Sequence, residues 1–308
     1  MQKVGSQSGN RGSLYEDVTN KIISDLEGGI VPWVQPWSSV GLSTPLAMPR
    51  NARTAKTYSG INILILWDAA IRGGYGSHSW LTFKQALELG GCVRKGEKGW
   101  TVCFADSFIP KNEKKRARQE NTDPQSIPFL KRYSVFNIAQ CDGLPENLYQ
   151  SATPAAERDI IPRAEALISA TGASFEIGGE IACYIPRLDA IRVPPQTAFT
   201  DQINYYRTVF HELGHWTGYP SRLARDLSSK FASNGYAREE LVAELATAFV
   251  CASLGIVPTV RHADYLGNWL QVLKEDARAI FKAASMATKA CDYILAFEQK
   301  TVEAEAAA

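Results

Sequence analysis

The chain has 308 residues, of which 45% are hydrophobic and 21% charged, with 33 basic and 32 acidic side chains. This length favours two domains over one, and the composition excludes a disordered or fibrous chain. No apolar run approaches the roughly 20 residues that span a bilayer, so no membrane partner is expected. The opening MQKVGSQSGNRGS lacks the apolar core of a signal peptide and reads as a disordered leader (1–13) on a cytoplasmic protein.

The near-neutral total hides an asymmetry. Residues 1–150 hold 18 basic and 13 acidic side chains, a net of +5, whereas the remainder holds 15 against 19, a net of −4. Five of the seven tryptophans also fall in the first hundred residues. A basic, aromatic-rich half joined to an acidic half suggests two separate tasks. The six cysteines are scattered without a CxxC pair. That is the pattern of small buried thiols in a reducing compartment, not of bridges or a thiolate metal site.

In chain order, Leu14, Val18, Ile22 and Leu26 recur at helical spacing and predict a helix over 14–27, stopped by Gly28-Gly29. VPWVQPW follows, where the prolines forbid a regular helix. Helices are predicted over 60–72 and 82–89. The segment GGCVRKGEKGWTVCFADSFI reads as a hairpin with strands near 91–94 and 100–108. The charged stretch 110–127 reads as a flexible loop before the strand-like RYSVFNIAQC. Residues 142–158 carry the boundary signals, with a linker at 146–158 between a domain over 14–145 and one over 159–300. The second half opens with a helix over 161–171. Three short strands follow (174–177, 182–186 and 190–195), then helices over 201–217, 236–254, 262–284 and 284–298, with 301–308 frayed. The overall pattern is α+β.

The run HELGH places His211 and His215 four residues apart, hence on one helical face where both imidazoles can chelate one metal ion. Glu212 follows the first ligand and is placed to act as general base toward a water that a zinc ion brings to a pKa of about 7. The chain has only four histidines and two of them fall here. A catalytic zinc needs a third protein ligand. Position 221 is Ser221, so the HExxHxxGxxH arrangement is excluded. The downstream REELVAELATAF offers Glu239, Glu240 and Glu244, with Glu240 and Glu244 on one face, one as ligand and the other orienting a histidine. Zinc is the expected metal, although other divalent ions suit an imidazole–carboxylate set. AIRVPP, shortly before the metal helix, reads as an edge strand able to pair with an extended peptide. His262 and Tyr265 are candidates for the donor to a developing oxyanion.

Two stretches together resemble a known family. FHELGHWTG, YAREELVAELATAFVCASLGI and NWLQVLKEDARAIFKAAS are similar to the zincin-like domain of ArdC-type antirestriction proteins of conjugative plasmids. VPWVQPW, YSGINILILW, WLTFKQALELGGCVRKGEKG and YSVFNIAQCDGL are similar to that family's N-terminal domain. The resemblance spans almost all of 14–300. It implies a single-stranded-DNA-binding first domain, a gluzincin-type metallopeptidase second domain, and protection of incoming plasmid DNA from host restriction. Similarity to the E-x-x-x-D/E pattern of zinc peptidases assigns Glu240 as third ligand and Glu244 as the group orienting a histidine. One departure is GYGSHSWLTF, with His78-Ser79 where a Pro-Arg or similar pair is expected.

Sequence-tolerant binding of single strands combines cations for phosphates with aromatic faces for bases. The first half offers Arg50, Arg53, Lys84, Arg94, Lys95 and Lys98 as cations, with Trp33, Trp37, Tyr58 and Trp80 as stacking faces. Single-stranded DNA and a protein substrate, such as a component of the host restriction system, are the expected partners. The competing reading is a protein that protects DNA by coating it, with a structural or vestigial metal site. A zinc nuclease or deaminase acting on the DNA itself fits less well, and the P-C-x-x-C element of deaminases is missing.

Overall fold

The computed structural model describes residues 14–33, 47–120, 122–149, 161–229, 233–257 and 266–306. The fold is α+β, and the chain divides into two compact units, one centred on Met48–Ala152 and the other on Thr153–Ala308. Helix α1 (Leu14–Glu27) forms where the apolar spacing predicts it. It packs with the second unit, however, not with the first domain in which it was expected. Thr19 Oγ1 donates to the Ala277 carbonyl at 2.7 Å, and the Tyr15 ring lies 4.6 Å from that of Phe281. Burial of an apolar face, more than sequence proximity, decides which core a helix joins.

The Met48–Ala152 unit contains β1 (Arg50–Asn51), α2 (Ile61–Gly73), β2 (Ser79–Leu81), α3 (Phe83–Glu88), β3 (Cys92–Val93), β4 (Trp100–Phe108), α4 (Lys111–Glu120), β5 (Ile127–Asn137) and β6 (Cys141–Asp142). Helix α2 is apolar on most sides and ends at Gly74, whose φ of 65° suits a residue without Cβ. The capping box of Thr82 and Gln85 starts α3. One sheet has the order β1-β2-β5-β4, and α2 covers the face that carries Trp80, Val102 and Val135. The expected hairpin over 91–108 does not form: β3 pairs with β6, and β4 pairs with β5 over nine register positions. The stretch expected to be a flexible loop contains α4. Its Lys, Glu, Arg and Gln residues favour a helix, Glu113 and Glu120 both pair with Arg116, and Ala117 is buried.

The second unit continues with α5 (Pro162–Ala170), β7 (Ser174–Ile177), β8 (Cys183–Ile185), β9 (Ala190–Val193), α6 (Gln202–Trp216), α7 (Asn234–Leu254), α8 (Leu266–Glu275) and α9 (Ala279–Ala306). Its three-stranded sheet has the order β7-β9-β8, with β9 parallel to β7 and antiparallel to β8. β9, in AIRVPP, is therefore the central strand and β8 the edge, reversing the expectation from sequence. The helix expected over 262–284 breaks at Asp276, whose Oδ1 accepts the Arg278 N–H at 2.8 Å. Helix α9 continues through residues expected to fray, a run of alanine and glutamate with high helix propensity. All six cysteines are free thiols. Among the described residues no helix is long and apolar enough to cross a membrane.

Candidate metal centre

Helices α6 and α7 build the site together. Ser233 caps α7 by accepting the Tyr236 N–H, which starts the helix one turn before its glutamates. His211 and His215 lie one turn apart on α6, with their Nε2 atoms 3.2 Å apart. Glu240 reaches across from α7: its Oε2 is 3.4 Å from His211 Nε2, and its Oε1 is 3.4 Å from His215 Nε2. Among the described residues these three form a group able to hold a metal ion. Tetrahedral zinc with bonds of about 2.0–2.1 Å requires donors about 3.3–3.4 Å apart. The triad has that spacing, so the residues fit a divalent ion.

Two carboxylates stand behind the triad, one beside each histidine. Glu239 Oε1 lies 3.2 Å from His215 Nδ1, whereas Glu244 Oε1 is 3.6 Å from His211 Nδ1, beyond ordinary hydrogen-bond length. Arg225 anchors Glu239 with bonds of 2.8 and 3.0 Å. The same guanidinium also donates to the Gly214 carbonyl at 2.6 Å and to Thr217 Oγ1 at 2.8 Å. Burial opposes a charged His215, but hydrogen bonds and charges from Glu239 and Glu240 outweigh it and push its pKa up to about 10. Glu240 is held well below the usual carboxylate range: burial raises its pKa, and the two histidines more than reverse that.

Glu212 is buried, and its Oε2 accepts the backbone N–H of Tyr184 at 2.8 Å. The general-base candidate is thereby tied to edge strand β8. Sequence spacing did not single out the residues that hold β8 in place. Tyr184 Oη donates to Asp189 at 2.8 Å, and Arg222 pairs with Asp189 and donates to the Trp216 carbonyl at 2.6 Å. Arg222 also stacks over the Trp216 ring at 4.0 Å. These residues join the end of α6 to the turn between β8 and β9. A cleft of about 430 Å³ opens between β8 and the triad, lined by Cys183, Tyr184, Glu212, Tyr236 and Glu239 among others. His262 and Tyr265 lie outside the described residues.

The nucleic-acid candidates separate. Arg50, Arg53, Lys84, Arg94, Lys95 and Lys98 are all exposed in the Met48–Ala152 unit. Several are paired: Arg53 and Lys84 share Glu88, and Arg94 binds Glu97 at 2.8 Å. Tyr58 is half-buried against the α2 face. Trp80 is fully buried and packs edge-on against Tyr75, so it offers no face to a base. Trp33 is buried in the second unit, 5.7 Å from Trp269. Trp37 lies outside the described residues.

Two family models match the chain, one in each half. Residues 162–286 match a family of zincin-like metallopeptidases, and residues 12–136 match the N-terminal domain of anti-restriction factor ArdC. The metal-free crystal structure of the antirestriction ArdC protein of plasmid R388 is 39% identical, with a TM-score of 0.79 over 94% of this chain and 99% of that one. The chain belongs to the ArdC-type antirestriction family. The Mn(II)-bound structure of R388 ArdC is 40% identical with a TM-score of 0.75, covering 93% and 98% of the two chains. Protein y4eC of Sinorhizobium fredii is 38% identical over 286 residues, 91% of each chain. Two Escherichia coli proteins named DNA primase TraC are 38% and 39% identical over 94% of this chain. The chain spans only 28% and 20% of their lengths. The ArdC-type antirestriction chain thus carries a zincin-like domain, and such a domain implies a divalent metal.

Proposed function

We propose that this protein binds single-stranded DNA through the Met48–Ala152 unit and hydrolyses a protein substrate at the His211–His215–Glu240 centre, protecting incoming plasmid DNA from host restriction in the cytoplasm. The observation that carries the peptidase reading is the tie between Glu212 and edge strand β8. In an antiparallel strand, a residue's N–H and C=O point to the same side. Because the Tyr184 N–H points to Glu212, its carbonyl lies on the same open edge, where an extended peptide can add as a further strand. A substrate on β8 is thus laid beside the general base by the backbone itself.

His211, His215 and Glu240 would hold the metal, and Glu239 would fix the His215 ring through its other nitrogen. Zinc fits the donor set, and Mn(II) is also compatible with imidazole and carboxylate ligands. When bound, the ion supplies Lewis-acid polarisation of a carbonyl and an acidic water. Glu212, held through Oε2, keeps Oε1 to receive a proton and to return it to the leaving amine.

Glu212→Ala tests this reading. The variant should retain metal and DNA binding and lose proteolysis, and a restriction assay should show lost protection. Undiminished protection by Glu212→Ala would mean that the protein acts by coating DNA, with the metal site serving the fold.

A further inference from the structure

With Trp33 and Trp80 buried and Tyr58 half-buried against α2, the rings most open to a base on the Met48–Ala152 unit are others. Among the described residues the large aromatics most exposed there are Phe83, Phe104, Tyr133 and Tyr149, at 45–52%. Only Phe104 and Tyr133 among these four are in ring contact with each other, centroids 6.0 Å apart at 82°. β4 is the outer strand of its sheet, and β4 and β5 pair in register with Tyr133 opposite Val102 and Lys131 opposite Phe104. Alternation along a strand therefore places Val102, Phe104, Tyr133 and Lys131 on one face. Val102 is buried beneath α2 while Phe104 is half in water, so the cover of α2 ends between them. An aromatic pair left open beyond the end of a helix, with a lysine directly across from one ring, has the make-up of a single-strand site.

We propose that Phe104 and Tyr133 form the base-stacking platform of this protein, with Lys131 beside them contacting phosphate. This rests on the single-strand-binding reading above and assigns that binding to particular rings. An edge-to-face contact uses the face of one ring and only an edge of the other, which leaves ring faces open to a base. Stacking tolerates any base because every base has a π-face. Recognition by this platform is therefore independent of sequence.

The test is fluorescence anisotropy with labelled oligothymidylate and with an abasic strand of equal length, on the full chain. Phe104→Leu/Tyr133→Leu keeps apolar surface and removes stacking. It should weaken oligothymidylate binding about tenfold or more and leave abasic binding at the wild-type level. Phe83→Leu, on α3, should bind both strands as the wild type does. Lys131→Gln should lower the slope of log affinity against log salt by about one. Equal oligothymidylate affinity of the double variant and a wild type that binds it in a salt-dependent way overturns the platform and leaves single-strand binding standing. A wild type that binds neither strand removes both. Unchanged circular dichroism melts of the double variant separate lost stacking from lost folding.

Discussion

Gly214 faces Ala243 where α6 meets α7, so closely that a methyl group at position 214 would lie 3.3 Å from the Ala243 Cα and 3.4 Å from its carbonyl oxygen. This close approach lets Glu239, Glu240 and Glu244 on α7 reach the rings of His211 and His215. The glycine of HELGH thus serves the metal site without touching it. Nothing in the i, i+4 histidine pair alone requires a glycine between them.

Gly214→Val should push the two helices apart. Overpacking of this kind costs about 1–3 kcal/mol, and a β-branched residue gains little from helix propensity to offset it. The melting temperature should fall, and Glu240 should lose its reach to both Nε2 atoms, so metal affinity drops with it. Calorimetric melts with and without added metal read both effects. A stable variant with wild-type metal affinity would show that α6 and α7 can separate without cost to the site.

Arg225→Met leaves Glu239 buried without its guanidinium. Breaking such a pair costs about 3–5 kcal/mol, and freeing the histidine's partner should weaken metal binding roughly 10–100-fold. Arg225→Met combined with Glu239→Gln removes the stranded charge and should recover much of the stability while affinity stays low. Competition titrations against a chelator, alongside thermal melts, distinguish the two. Recovery of affinity in the double variant would show that the Arg225–Glu239 pair serves stability alone.

Metal binding should strengthen as pH rises. His215 has a folded pKa of about 10 against an ordinary value of 6.5. Its charged form therefore stabilises the metal-free protein fully below the unfolded value, and that contribution is lost as pH climbs through the folded one. Metal can take the ring nitrogen only after the proton leaves, so binding releases a proton across this window and affinity gains up to about tenfold per pH unit. Titration calorimetry in buffers of different ionisation enthalpy counts the released protons. Binding without proton release contradicts the assigned charge state.

Asn62→Ala should destabilise the Met48–Ala152 unit. The Asn62 side-chain amide donates to the Cys103 carbonyl and accepts the Cys103 N–H, both at 2.7 Å, and so caps the outer strand β4 as a neighbouring strand would. Leaving both backbone groups unsatisfied costs about 1–3 kcal/mol for each. Faster hydrogen exchange at the Cys103 amide reports the opening directly.

Local spacing determined much of this protein from its sequence alone. The helix over 14–27, the three short strands of the second half and the placing of His211 and His215 on one helical face with Glu212 beside them all depend on intervals of two to four residues, which backbone geometry sets within one element. Tertiary structure decided the rest. It made β8 the edge and β9 the centre, paired β3 with β6, sent α1 to the second core and buried Trp33 and Trp80. It also placed Glu239, beside Glu240 on α7, within 3.2 Å of His215 Nδ1. Each of these outcomes depends on the order of strands or the phase of one helix against another. They are set by contacts between distant residues, such as Gly214 and Ala243, whose effect no local interval encodes.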